Sequence, residues 1–132
     1  MAEITLSDPL GRTIRDTVSF FNLKNNLEIG AWDGTGATQC FIEGMKDFDN
    51  KSLKSIEIKE DRFLELKEKV KDYSWVECIN NSSINANKLP PFEYIWDSAY
   101  MKCPIEHMSY AEKQIEKAGL KRWYDRDKEL MS

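Results

Sequence analysis

Along the first 84 residues, apolar positions spaced three to four apart alternate with short continuous apolar runs. The first pattern predicts helices and the second predicts strands. Asp8-Pro9, followed by apolar positions three to four residues apart, predicts a helix that ends near Asn25-Asn26. Apolar positions on one face predict two further helices, one from Gly36 to about Asp49 and one over Glu60–Lys71. Short apolar runs predict three strands, at Leu27–Ile29, Ser55–Ile58 and Trp75–Ile79. Strands that alternate with helices at this spacing indicate a parallel sheet with right-handed crossovers, so the fold class is α/β.

The segment after residue 84 has a different, helical character. Pro90-Pro91 precedes an aromatic stretch, Phe92–Tyr100, which lacks the alternation of a strand. Ser109 and Glu112 have the spacing of a capping box, which predicts a helix over Tyr110–Ala118 that stops at Gly119. A last helix is predicted over Lys121–Met131.

Length, charge and cysteine content narrow the class of protein. The 132 residues suit one domain, and the net charge of −4 gives no basic surplus that would indicate a nucleic-acid partner. Three cysteines, at positions 40, 78 and 103, form no paired motif, which argues against a disulfide framework or a four-cysteine zinc site. No apolar run approaches the length of a membrane span. We therefore predict a cytoplasmic protein with no metal site and no membrane partner.

The strongest chemical signal is the glycine-rich run Glu28-x-Gly30-x-x-x-Gly34-x-Gly36, placed where a strand ends and a helix begins. Glycines there let backbone N–H groups approach a ligand, and the helix N-terminus adds partial positive charge. Glu57 lies 23 residues beyond Gly34, near the offset at which an acidic side chain binds the ribose hydroxyls of an adenosine cofactor. The G-x-G-x-x-G fingerprint of dinucleotide sites is absent from this loop, which makes NAD the weaker choice.

Together, Leu27-Glu28-Ile29-Gly30-Ala31-Trp32-Asp33-Gly34-Thr35-Gly36 and Ser55-Ile56-Glu57-Ile58 resemble the class I S-adenosylmethionine-dependent methyltransferases. The catechol-type O-methyltransferases, with an aromatic residue at the position of Trp32, are the most similar subgroup. The resemblance covers residues 10–84 and implies a three-layer Rossmann-like fold. We expect that fold to be truncated here to about three strands in the order 3-2-1, followed by a helical segment. It also implies one S-adenosylmethionine-binding domain over residues 1–132, with cofactor-binding units in 1–84 and a helical extension in 85–132.

The resemblance also implies which residues would bind S-adenosylmethionine. Glu28 would orient the loop near the methionine part, and Glu57 would accept hydrogen bonds from the ribose. The polar residues after the third strand would flank the adenine. The implied cofactor-binding set is Glu28, Gly30, Trp32, Gly34, Gly36, Glu57, Asn81, Ser82 and Ser83. Two alternatives remain open: Glu57 could be a surface carboxylate, and Ser82-Ser83 could be a helix cap.

The sequence departs from the family after the third strand, where no fourth strand is recognisable. In the family that strand supplies an acidic residue at the methyl-transfer site and covers the edge of the first strand. Its absence would leave Leu27–Ile29 as an edge strand, which favours pairing with another chain. We therefore expect a homo-oligomer in which two copies pair edge to edge, or a C-terminal segment that folds back over the gap.

The catalytic residues are unknown, and the candidates are Asp33, Asp97 and His107, the only histidine. The first hypothesis is an S-adenosylmethionine-dependent methyltransferase, with O-methyl transfer to a small-molecule acceptor at a site completed by an oligomer or partner. One alternative is a non-catalytic remnant that binds the cofactor or another protein. A third hypothesis is an enzyme that cleaves S-adenosylmethionine, because the loop and Glu57 would recognise the cofactor and not the reaction.

Overall fold

Three parallel strands form one sheet in the computed structural model, which describes residues 4–98 and 106–132. The strands are β1 (Asn25–Ile29), β2 (Ser52–Ile56) and β3 (Val76–Ile79), and β2 lies between the other two. The predicted α/β class and the strand order 3-2-1 are therefore confirmed. The predicted bounds of the second strand were wrong. β2 begins and ends earlier because Leu53 and Ser55 are its fully buried positions, so Glu57 follows the strand.

Helices connect the strands and continue beyond them. They are α1 (Pro9–Phe20), α2 (Ala37–Met45), α3 (Glu60–Val70), a short 3-10 turn (Ala86–Lys88), α4 (Phe92–Trp96) and α5 (Tyr110–Leu130). The predicted start of α1 is confirmed: Asp8 accepts a hydrogen bond from Gly11 N at 2.9 Å, and Pro9 is the first helical residue. Among the helices of the described segments, none combines the length and apolar character needed to cross a membrane.

The hydrophobic core lies between one face of the sheet and the helices around it. Its buried members are Val18, Ala31, Ile42, Met45, Leu53, Leu66 and Val70. α1 and α2 approach closely at Gly44, where a Cβ atom would lie 2.7 Å from the Arg15 carbonyl oxygen. Three apolar residues in or next to these helices are exposed, namely Leu10, Phe21 and Leu64. They lie away from the faces that Val18 and Leu66 turn to the core, because a helix buries only one stripe.

β1 forms one edge of this sheet and carries exposed apolar side chains. Leu27 and Ile29 are 57% and 61% exposed, whereas Glu28 between them is buried. The parallel register places Leu27 beside Lys54, which forms an ion pair with Glu77 at 3.2 Å. The core-facing side chain of β1 is therefore a carboxylate, and its apolar side chains lie on the opposite face of the sheet.

The chain divides into two compact units, Met1–Ser83 and Ile84–Ser132. In the second unit the predicted helical character and the capping box of Ser109 and Glu112 are confirmed. Two separate helices with a stop at Gly119 were wrong, because α5 runs without a break through that residue. Good helix-forming residues on both sides offset the cost of one glycine, which is about 1 kcal/mol.

Packing within the second unit centres on α4 and α5. Phe92 is buried, and its ring lies 5.7 Å from that of Tyr124 in an edge-to-face arrangement. The Tyr124 hydroxyl donates a hydrogen bond to the Pro90 carbonyl oxygen at 2.7 Å. The aromatic stretch predicted over Phe92–Tyr100 is helical at Phe92–Trp96, and Tyr100 and Cys103 lie outside the described residues.

Candidate functional site

The glycine-rich loop begins where β1 ends and is tied to the end of β2. Gly30 N and Ala31 N both donate to the Ile56 carbonyl oxygen, at 2.9 and 3.0 Å. Gly30 has a φ of +78°, in the left-handed region where a Cβ atom introduces strain. The loop therefore lies at the carboxyl ends of two neighbouring parallel strands, where α/β sheets bind their ligands.

Gly34 lets the loop pack against α3. Its φ is +77°, and a Cβ atom there would lie 2.8 Å from Leu66 Cδ1. Gln39 in α2 donates a side-chain hydrogen bond to the Gly34 carbonyl oxygen at 2.7 Å. Gly34 is buried, so the close approach that it permits is between the loop and a helix of the same unit.

The loop ends at the N-terminus of α2. Gly36 is the N-cap residue, and no side chain caps the helix there. Asp33 instead accepts hydrogen bonds from Thr35, at 3.0 Å from the backbone N and 2.5 Å from the hydroxyl. The first N–H groups of a helix lack partners within it and carry partial positive charge. The arrangement thus has the donors that a polar or anionic ligand group needs.

Glu57 is the buried carboxylate that holds this loop. The residue is 5% exposed, and its carboxylate accepts two backbone hydrogen bonds, from Trp32 N to Oε2 at 2.8 Å and from Lys59 N to Oε1 at 2.9 Å. Each carboxylate oxygen has two lone pairs, so one acceptor site on each oxygen remains beyond these bonds. Glu57 therefore joins the loop after β1 to the start of α3.

Asn80 is a residue of this site that sequence reasoning missed. Its Nδ2 donates to the carbonyl oxygens of Glu57 and Ile58, at 2.9 and 3.2 Å, so it fixes the turn after β2. The available signal was an amide side chain directly after the third strand. Of the neighbouring predicted residues, Asn81 accepts a hydrogen bond from Ser82 N at 2.8 Å, and Asn81 and Ser83 are exposed.

Glu28 lies inside the core rather than on the loop surface. Its Oε2 accepts hydrogen bonds from the hydroxyls of Thr38 and Ser55, both at 2.8 Å. Burial raises the pKa of Glu28, and the two hydroxyl groups partly offset that rise. Neither hydroxyl residue was predicted as part of the site, although a serine in a buried strand and a threonine on an apolar helix face were visible signals.

The three catalytic candidates divide between the two units, with Asp33 in the first and Asp97 and His107 in the second. Asp33 belongs to the loop, whereas Asp97 is the C-cap residue of α4 and His107 lies in the second unit. The His107 side chain is 89% exposed, with Nε2 at 3.1 Å from Glu106 Oε1. In the described part of the chain, no three or more His, Cys, Asp or Glu side chains are grouped as metal ligands.

Comparison with known proteins identifies the fold. No family model and no curated protein matches the sequence. The S-adenosylhomocysteine-bound methyltransferase PaMTH1 of Podospora anserina matches with a TM-score of 0.50 and 22% identity, over 56% of this chain and 32% of that one. A Staphylococcus aureus protein assigned as a caffeoyl-CoA O-methyltransferase matches with a TM-score of 0.48 and 26% identity, over 73% and 44%. The likeness to PaMTH1 shows the Rossmann-like fold of class I methyltransferases. The chain spans less than half the length of either matched protein.

Proposed function

We propose that this chain binds S-adenosylmethionine at the carboxyl ends of β1 and β2 and takes part in methyl transfer. The observation that carries the proposal is Glu57, a buried carboxylate at the ends of two parallel strands. It holds a glycine-rich loop in which several residues have positive φ. The structural similarity to PaMTH1, a methyltransferase with S-adenosylhomocysteine bound, supports the same cofactor here. The acceptor in this proposal is a small molecule, and the reaction is O-methyl transfer.

In the proposed complex, Gly30, Trp32 and Gly36 position the methionine part of the cofactor along the loop, and Gly34 contributes by holding the loop against α3. The remaining lone pairs of Glu57 accept the two ribose hydroxyls, while its existing bonds keep the loop in place. Asn81, Ser82 and Ser83 flank the adenine. Glu28 does not touch the cofactor in this proposal. It accepts hydrogen bonds from Thr38 of α2 and Ser55 of β2, and these bonds help to fix the loop that runs from β1 to α2.

Calorimetric titration with S-adenosylmethionine and S-adenosylhomocysteine tests cofactor binding. We expect micromolar affinity, and we expect Glu57→Gln to weaken it because the variant loses charged acceptors for the ribose. Asp49→Asn, which neutralises an exposed carboxylate outside the site, is the matched control. Absence of binding by the wild-type chain would refute the proposal. An unchanged affinity in Glu57→Gln would refute the ribose assignment alone.

The edge of the sheet supports a second part of the proposal, that another polypeptide, most simply a second copy, completes the site. In doubly wound folds the ligand lies where strand order reverses, so a strand is needed on the outer side of β1. The exposed side chains of Leu27 and Ile29 are consistent with a surface covered in an assembly. In this reading methyl transfer occurs only in the assembled state.

Light scattering and analytical ultracentrifugation test this assembly. We expect a wild-type oligomer and a folded monomer for Leu27→Lys, because a charge on the edge strand opposes strand pairing. Leu64→Lys is the matched control, since both leucines are 57% exposed but Leu64 lies on α3. A monomeric wild-type protein that nevertheless methylates an acceptor would contradict the assembly proposal and leave cofactor binding untouched.

The rival functions are separated by product analysis. A non-catalytic remnant would bind the cofactor without consuming it. A cleaving enzyme would consume S-adenosylmethionine without forming a methylated acceptor. The exposed edge of β1 would also suit a chain that only binds another protein. The titration and the product assay should therefore be made on the same preparation, so that binding and turnover can be compared directly.

A further inference from the structure

The loop contains a tryptophan in a backbone conformation that bulky residues seldom adopt. Trp32 has a φ of +55°, between two glycines that also have positive φ. Glycine occupies this region without steric cost, whereas a tryptophan remains there only when surrounding contacts hold it. The loop conformation therefore depends on what Trp32 contacts.

Two kinds of contact hold Trp32. Its backbone N–H donates to Glu57, and its indole ring lies beneath a cation from α3. The Arg62 guanidinium carbon lies 4.3 Å from the ring centroid, and Lys59 Nζ lies 6.0 Å from it. A guanidinium at the shorter distance is attracted electrostatically by the face of the indole ring. Arg62 is thus the nearer of the two cations, and it belongs to a regular helix.

The guanidinium is itself fixed in place. Arg62 Nη1 donates to Glu65 Oε2 at 2.7 Å, within the same helix. Over residues 4–98 and 106–132, Arg62 Nε is the single buried side-chain nitrogen or oxygen without a hydrogen-bond partner. The ring contact and the Glu65 bond, rather than a full set of hydrogen bonds, therefore define where this group lies. Arg62 also lines an open groove of about 860 Å³ together with Asp33 and Thr35 of the loop.

We propose that Arg62 is a positioning residue of the site: its cation–π contact with the Trp32 ring holds the loop between Gly30 and Gly36 in the ligand-binding conformation. The inference rests on the proposed function for its effect on cofactor affinity. Its effect on the loop concerns the free protein. Arg62 acts through Trp32, and its role is to keep the backbone N–H groups of the loop aligned before the cofactor arrives.

Residue-resolved hydrogen exchange of the free chain tests the effect on the loop. The Trp32 amide reports the loop, and the Leu53 amide, bonded to the Trp75 carbonyl oxygen, reports the core. In Arg62→Met we expect Trp32 exchange to accelerate about 3- to 30-fold, the range of a cation–π contact, with Leu53 unchanged. Lys67→Met is the matched control, because it removes a cation over Phe63 on the same helix.

Cofactor titration of the same variants tests the effect on the site. We expect S-adenosylhomocysteine to bind about 3- to 30-fold more weakly to Arg62→Met, and Arg62→Lys to recover part of the loss. Unchanged exchange at Trp32, or equal acceleration at Trp32 and Leu53, would overturn the positioning role. A wild-type chain that binds no S-adenosylhomocysteine would instead overturn the proposed function, while the exchange comparison still decides the role of Arg62 in the loop.

Discussion

Replacement of Glu57 by alanine should destabilise the first unit substantially, because this side chain links two segments of backbone. The variant removes the acceptor of two N–H groups, those of Trp32 and Lys59, from a carboxylate that is 5% exposed. A hydrogen bond to a charged group contributes about 1.5–3 kcal/mol, and the exposed loop lets water replace part of it. We therefore expect a loss of about 2–4 kcal/mol in the free energy of unfolding.

Urea denaturation measures this loss. With a slope of about 2 kcal/mol per molar urea, the midpoint should fall by about 1–2 M. Because the chain has two compact units, the transition should be followed through amide signals of β2, which report the first unit. Glu57→Gln keeps one carbonyl acceptor and should lose less stability than Glu57→Ala.

Asp49→Ala removes an exposed carboxylate from the same unit and should leave the midpoint nearly unchanged. A midpoint for Glu57→Ala within about 0.3 M of the wild type would refute the reasoning. It would mean that water satisfies both N–H groups and that Glu57 does not hold the loop.

Three other perturbations have expected outcomes. Gly34→Ala should destabilise the protein by about 1–3 kcal/mol more than Gly30→Ala. Both glycines have positive φ, but only at Gly34 would a Cβ atom lie 2.8 Å from Leu66 Cδ1. Equal losses of stability in the two variants would show that the Leu66 side chain moves aside. Burial raises the pKa of Glu28, so protonation favours the folded state, and its contribution to stability should fall as pH rises above the ordinary value of about 4.5. Glu28→Gln should remove this pH dependence and raise the free energy of unfolding at neutral pH. Denaturation at a series of pH values measures both effects, and a variant whose stability changes with pH as the wild type does would contradict the prediction. Gly119→Ala should stabilise α5 by about 0.5–1 kcal/mol, because the residue is helical and an added Cβ atom would meet no other atom within 4 Å. Thermal denaturation tests this, and a lower melting temperature would contradict it.

The sequence by itself determined the elements whose cause is local. The Asp8-Pro9 start of α1 and the Ser109–Glu112 capping box depend on side chains within one helical turn, so their residue types were sufficient. The alternation of strands and helices likewise predicted the parallel sheet, and the resemblance to class I methyltransferases implied its strand order. Local signals failed at Gly119, where propensity predicted a stop that the flanking helix-forming residues override.

Only the tertiary structure decided what the site residues do, because their partners are distant in sequence. Glu57 was recognisable as an acidic residue at a suggestive offset, but its bond to Trp32 joins residues 25 positions apart. Glu28 was expected beside the ligand, and that role stays a prediction; the structure shows that it is bound by the hydroxyls of Thr38 and Ser55, which lie 10 and 27 positions away. Arg62 carried no sequence signal, since one charged residue in a charged helix is unremarkable until the fold places it over an indole ring. Spacing along the chain specifies helices and strands, whereas the site depends on contacts that exist only once the strands have paired.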